Sequence, residues 1–306
     1  MYLLQCASGR LVRLYNRHGG IKFDTPLPCP SLPRFLKMSS AESPVALITG
    51  GSAGLGLVIA KSFLSENYRV MIVGRDQKRL DQALTQLGAN DTVACAVCVD
   101  VSQPSGVRQM IAATNTAFGR LDALVNCVGK SDRGLIETLD SEHLMDLFRQ
   151  NVTTALLCSQ AAIPMLEKTG GTIVNIGSLG GKVGARYIGG YATAKHAVTG
   201  MSQQLRLELK PKGIHVGLVS PGPIRRGDAG ERYKEQITSD LPDQARKPGG
   251  GTKVKGLPPE KVAAAVLMCV QKRNPDIVLP GYLRILITIG NAFPRIGDWL
   301  LLKLTS

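Results

Sequence analysis

The chain is predicted to fold as an α/β protein, a doubly wound domain around a mostly parallel sheet, and three observations carry that expectation. Short apolar, β-rich runs alternate with amphipathic stretches of helical length from about residue 44 to residue 280. Runs such as VALIT, RVMIVG and GTIVNIG are apolar at consecutive positions, so both of their faces need cover. The segments between them are long enough for helical crossovers, and right-handed crossovers place helices on both sides of a parallel sheet, a Rossmann-like arrangement.

Taken in order, strands are expected at VALIT (45–49), RVMIVG (69–74), VACAVCV (93–99), LDALVN (121–126), GTIVNIG (171–177), IHVGLVS (214–220) and DIVLP (276–280). Helices are expected over 55–66, 77–87, 105–118, 141–168 and 191–210. LPPEKVAAAVLMCVQK reads as one more, with Pro258 or Pro259 at its start and Glu260 suited to the helix dipole. A boundary is expected near Ser43. Residues 1–42 carry Arg10, Arg13, Arg17, Lys22, Arg34 and Lys37 against one acid, Asp24, with prolines from Pro26 to Pro33. Such a segment suits a poorly ordered basic extension, a transit peptide or a stretch upstream of a start at Met38. The domain proper is then 43–281. Within it, 224–256 is polar, charged and glycine-rich, a long loop of the kind that is usually functional. The tail, 282–306, is apolar with Arg284, Arg295, Lys303 and Trp299 interspersed. Its two segments, broken at Pro294, are too short to span a bilayer. They could lie on a membrane surface, form an apolar rim to a substrate mouth, or pack against the body or a partner subunit.

Bulk composition narrows the function. A chain of 306 residues with 44% hydrophobic content suits one large α/β domain with appendages. The excess of 37 Lys+Arg over 23 Asp+Glu, net +14, favours anionic partners. No basic run is interleaved with aromatics, so nucleic acid is not expected. Seven cysteines without a disulfide spacing suggest free thiols and a reducing, cytoplasmic setting, with peripheral membrane contact as an option for the tail. Cys95 and Cys98 form a CxxC inside an apolar strand run, where residues three apart face opposite ways and cannot readily share a metal. They are expected to be small core residues. No metal site is expected, and His196 reads as structural.

Chemistry concentrates in three places. TGGSAGLG, from Thr49 to Gly56, follows a strand and opens a helix, the context in which glycines let backbone N–H groups approach a pyrophosphate. At the end of the next strand a site for NAD would carry an acid for the ribose 2′-hydroxyl; here Gly74 is followed by Arg75, with Arg79 a turn later. Guanidinium forks match a 2′-phosphate, which points to NADP(H), and Asp76 is assigned to capping the next helix. Finally, Tyr191 and Lys195 lie four apart, on one helix face, thirteen residues after Ser178 at a strand end. Tyr–Lys pairs at this spacing are common on ordinary helices. A phenol titrates near ~10, and a neighbouring ammonium lowers that value toward the range a proton carrier needs.

With these pieces in place the chain resembles the short-chain dehydrogenase/reductase family, in its classical type, over about 43–280. TGGSAGLG is similar to the family's glycine loop, with Thr49, Gly50, Ser52, Gly54, Leu55 and Gly56 as cofactor contacts. Asp100 with Val101 resembles its adenine-contacting pair. LVNCVG, with Asn126 and Gly129, resembles its Asn-Asn-Ala-Gly turn, although Cys127 and Val128 depart from it. Pro221 and Gly222 match the PG after the sixth strand, with Ile224 just beyond. Asn151, Ser178, Tyr191 and Lys195 fall on the four catalytic positions. The resemblance implies that Tyr191 donates or accepts the proton, Lys195 lowers its pKa and binds the nicotinamide ribose, Ser178 orients the substrate oxygen, and Asn151 holds a water. It also implies that 224–256 is a substrate lid and that the protein is a dimer or tetramer. Arg226 stands about where the family carries a Thr near the nicotinamide.

The leading expectation is an NADP(H)-dependent oxidoreductase acting on the carbonyl or secondary alcohol of a hydrophobic, lipid-like small molecule. Reduction of 3-oxoacyl chains on an acidic acyl carrier protein is the nearest alternative, and a non-catalytic cofactor-binding regulator the alternative of another kind.

Overall fold

The computed structural model describes residues 43–225, 241–246 and 248–304. Its centre is a seven-stranded, all-parallel sheet in the order β3-β2-β1-β4-β5-β6-β7. The strands are β1 (Val45–Thr49), β2 (Arg69–Gly74), β3 (Ala94–Cys98), β4 (Ala123–Asn126), β5 (Thr172–Ile176), β6 (His215–Pro221) and β7 (Asp276–Leu279). The helices joining them are α1 (Gly54–Ser65), α2 (Gln77–Leu87), α3 (Pro104–Phe118), α4 (Ser141–Phe148), α5 (Thr154–Thr169), α6 (Tyr191–Leu209) and α7 (Pro259–Gln271). Two further helices, α8 (Leu283–Ala292) and α9 (Pro294–Leu304), make up the tail.

The consecutive apolar residues of each strand divide between two cores, as the period of two requires. From β1, Val45 and Leu47 face a core with Met110 and Phe118 of α3, Ala162 and Leu166 of α5, and Leu205 and Leu209 of α6. Ala46 and Ile48 face the other, with Ile59 and Phe63 of α1, Leu80 of α2, and Val262 and Val266 of α7. Side chains as completely buried as Leu47, Ile48 and Phe63 each contribute about 1.5–3 kcal/mol. Strand order reverses between β1 and β4, where a doubly wound sheet opens a crevice at its carboxyl edge.

The structure differs from the expectation in two places. The single helix expected over 141–168 is two helices joined by a π-turn, Arg149–Thr153. Asn151 lies in that turn, and its side-chain amide donates to the Leu147 carbonyl four residues back (2.9 Å), a group the helix ladder normally uses. Cys98, expected in the core, is exposed and Cys95 half-buried, because β3 is an edge strand with only α2 and α3 to cover it. Asp76 does cap α2, its side chain accepting from the Arg79 N–H (3.1 Å). The tail is folded onto the body: the described residues fall in one compact unit, and the Lys253 N–H donates to the Leu304 carbonyl (3.0 Å). Among the described residues no helix is long and apolar enough to cross a membrane. The extension 1–42, Arg226 and much of the expected lid (226–240 and 247) lie outside the described residues.

Candidate active site

A single cleft of about 2030 Å³ runs along the carboxyl edge of the sheet, from the glycine turn after β1 to the tail helices. At its first end the turn is shaped by glycine: Gly50 and Gly54 have φ of +68° and +54°, which side chains rarely adopt. A Cβ on Gly56 would run into the Gly50 carbonyl, so no other residue lets α1 start this close to the turn. Ala53 caps α1 without a side-chain bond and no acid stands in its first turn, so its amide end is left to the cleft. Gly50, Ser52, Gly54, Leu55 and Gly56 line this end.

Arg75, Arg79, Asp100 and Val101 line the next stretch. Arg75 is exposed; Arg79 pairs with Asp76 at 3.5 Å. The Ser102 N–H, donating to Asp100 at 2.9 Å, holds that carboxyl below its ordinary value, and Arg75 acts in the same direction.

Further along, β5 and α6 deliver the remaining groups. Ser178 follows β5, and its hydroxyl accepts from the Gly180 N–H at 3.1 Å. Tyr191 opens α6, and Lys195 follows one turn on with Nζ 5.8 Å from the Tyr191 ring centroid. A Cβ built on Gly180 would stand 3.6 Å from Ser178 Oγ and 3.8 Å from Tyr191 Cε1, so the two side chains flank one small residue. Lys195 is 5% exposed and donates to the Ile176 carbonyl at 2.9 Å; burial pushes its ammonium down to about 8. Asn151 comes in from the π-turn with Nδ2 bonded to the Lys130 carbonyl (2.9 Å). Its Oδ1 is buried without a protein partner and stands, like Lys195 Nζ, beside Gly129. Gly129, Asn151, Ser178, Tyr191, Lys195, Pro221, Gly222 and Ile224 all line the cleft.

Thr49 and Asn126, expected as cofactor contacts, turn their side chains inward. The Thr49 hydroxyl accepts from the Cys127 N–H (3.0 Å) and ties the glycine turn to the end of β4. Asn126 donates to Asn175 Oδ1 (2.8 Å) and Ser159 Oγ (3.0 Å), a buried network that Ser202 completes through Asn175. Polar side chains this deep need protein partners, and those lie under the sheet edge.

Three residues not anticipated from the sequence brace the site. Asp132, buried, accepts from the Gly190 N–H at 3.1 Å immediately before Tyr191, and from His143 Nε2 of α4 at 3.0 Å. Arg133, also buried, donates to the Ala245 carbonyl at 2.8 Å and so reaches the far side of the cleft mouth. Nothing local marks these contacts. A Gly-Gly pair before a helix and an Asp after a glycine turn become partners only once the fold brings the loop after β4 to the start of α6.

The tail supplies the outer wall. Leu283 and Ile287 of α8 and Leu300, Leu301 and Leu304 of α9 line the same cleft as Ser178, Tyr191 and Lys195 and give it an apolar side. No cluster of potential metal ligands occurs among the described residues.

Fold and cleft together define a dinucleotide-binding α/β oxidoreductase. The short chain dehydrogenase family model matches residues 44–237. The chain is 31% identical over 258 residues to dehydrogenase/reductase SDR family member 7B of Danio rerio, covering 81% of each. It is 32% identical over 228 residues to 2-(S)-hydroxypropyl-CoM dehydrogenase 3 of Xanthobacter autotrophicus, covering 74% of this chain and 89% of that one. Among solved structures, a variant of actinorhodin polyketide ketoreductase with NADPH superposes with TM-score 0.69 at 28% identity, over 80% of this chain and 98% of that one. The chain belongs to the short-chain dehydrogenase/reductase family, whose members are nicotinamide-dependent oxidoreductases acting on CH–OH and C=O groups.

Proposed function

We propose that this enzyme uses NADP(H) to interconvert a carbonyl and a secondary alcohol on a hydrophobic small molecule, with Asn151, Ser178, Tyr191 and Lys195 as its catalytic residues. The observation that carries this reading is the convergence of those four side chains on one cleft that has a glycine cradle at one end and an apolar wall at the other.

The cradle fits a dinucleotide. The bare amide end of α1 and the open space beside Gly54, where a Cβ would meet nothing within 4 Å, suit a pyrophosphate. Asp100 and Val101 suit an adenine, and Arg75, exposed beside a strand end with no acid on it, suits a 2′-phosphate. Bound there, the nicotinamide supplies or accepts the hydride.

In the direction of reduction, Ser178 donates a hydrogen bond to the substrate carbonyl and holds its oxygen toward Tyr191. As the carbon gains its hydride, the Tyr191 hydroxyl gives its proton to that oxygen, leaving a phenolate beside the Lys195 ammonium. That charge stabilises the phenolate and matches the phenol's pKa to the task. Asn151 Oδ1, buried next to Lys195, suits a water through which the proton is replaced from solvent. Oxidation runs the same transfers backwards.

A second reading, reduction of 3-oxoacyl thioesters on an acyl carrier, is favoured by the likeness to a polyketide ketoreductase and by a net charge of +14 that suits an acidic carrier. The test is NADPH absorbance loss across a panel of free apolar ketones and 3-oxoacyl thioesters. Turnover of the free ketones supports the first reading, thioesters alone support the second, and no turnover of either removes both.

A further inference from the structure

Helices α8 and α9 are apolar on two opposite sides, and the cleft uses only one. They cross closely at Gly290 and Gly297, where a Cβ on Gly297 would stand 2.8 Å from Gly290 Cα. That contact turns Leu283, Ile287, Leu301 and Leu304 to the cleft. On the outer side Ile285, Ile289, Phe293, Ile296 and Trp299 are 39–67% exposed. Of the twelve large hydrophobics exposed among the described residues, eight lie between Tyr282 and Leu302. Concentration of this kind marks a surface that meets an apolar partner.

The charges around the patch say which partner. Arg284, Arg295 and Lys303 are exposed on the hairpin, Lys303 with its Nζ 4.9 Å from the Trp299 ring centroid. The hairpin's one acid, Asp298, lines the cleft. A two-fold contact with a second copy would bring this patch against itself and its cations against their own kind. An anionic lipid surface instead takes the apolar side chains among its acyl chains and the cations at its head groups. Helices of ten and eleven residues lie in such an interface and do not cross it.

We propose that the outer face of the α8–α9 hairpin docks on an anionic membrane surface, so that an apolar carbonyl substrate reaches the cleft along the hairpin's inner face. This deepens the proposed function and rests on it for the substrate, while docking itself is measured independently.

The experiment uses the full chain, co-sedimented with vesicles of phosphatidylcholine alone and with phosphatidylglycerol added, and follows NADPH oxidation with a small water-soluble ketone in parallel. The chain is expected to sediment with the anionic vesicles, to leave them as salt is raised, and to ignore the neutral ones. Ile296→Glu with Trp299→Glu abolishes sedimentation, and Arg295→Glu with Lys303→Glu weakens it more than about tenfold. Neither pair lines the cleft, so soluble-ketone turnover stays at the parent rate and shows that the variants are folded. A parent chain that ignores anionic vesicles overturns the proposal, as do variants that bind them like the parent. So does light scattering in which the parent is a dimer, indifferent to lipid, that the apolar pair dissolves. Failure to turn over any ketone would remove the function and leave the vesicle result standing.

Discussion

Lys195 is the residue on which the chemistry and the cost of the site meet. Burial lowers its pKa from 10.5 to about 8, a shift that corresponds to about 3 kcal/mol of lost stability whenever the ammonium is charged in the folded state. The sign follows from proton counting. Between about 8 and 10.5 the unfolded chain holds a proton that the folded chain has released, so stability rises with pH there; below about 8 the penalty is present in full. Lys195→Met is therefore expected to stabilise the cofactor-free protein at pH 6–7 and to lose that advantage as pH climbs toward 10.5, which urea melts at a series of pH values would record. An advantage independent of pH would remove the buried charge as its cause. Arg75 is the counterpart for cofactor choice. Arg75→Ala should weaken NADPH by about 10–100-fold and NADH by far less, since only the former offers a phosphate to the guanidinium. Equal losses in fluorescence titrations with the two would overturn the assignment to NADP(H).

Among the elements, α6 is held at its start by contacts far from it in sequence. Its first residue is Tyr191, and what aims that first turn is Asp132, fifty-eight positions earlier, accepting the Gly190 N–H while His143 holds the carboxylate from the other side. Asp132→Ala leaves the N–H and the imidazole without their acceptor, at a cost of about 1–3 kcal/mol. It should lower Tm by several degrees and reduce kcat with little change in NADPH affinity, because the glycine cradle is built from other elements. Asp132→Asn, which keeps an acceptor oxygen, should recover part of the kcat. A loss of NADPH affinity as large as the loss of kcat would show a general collapse of the cleft instead. The π-turn of Arg149–Thr153 has a similar logic: one extra residue in the helix brings Asn151 Oδ1 beside Lys195, where a regular α-helix over 141–168 would aim a different residue.

Over the whole molecule, the sheet and its covering helices were legible because strands such as VALIT must hide both faces, which a parallel sheet flanked by helical crossovers does. The glycine turn, Ser178, Tyr191 and Lys195 stand out in the sequence only as a set: a Tyr–Lys spacing is common on ordinary helices, and the glycine turn, the strand-end serine and the family's other motifs together single it out. Asp132, Arg133 and His143 were hidden, because their contacts join segments that only the fold brings together. The inward turn of Thr49 and Asn126 was hidden for the same reason, with partners on β4, β5 and α5. The tail's two apolar sides could not be ranked until Gly290 and Gly297 showed which of them closes the cleft. The most direct measurement is made on Tyr191→Phe, titrated with NADPH by fluorescence and assayed with whichever carbonyl the parent reduces. Binding within about twofold of the parent, together with turnover reduced by at least about 100-fold, is the expected result. Turnover at the parent rate would contradict the assignment of the proton to this phenol, and with it the reading of the cleft.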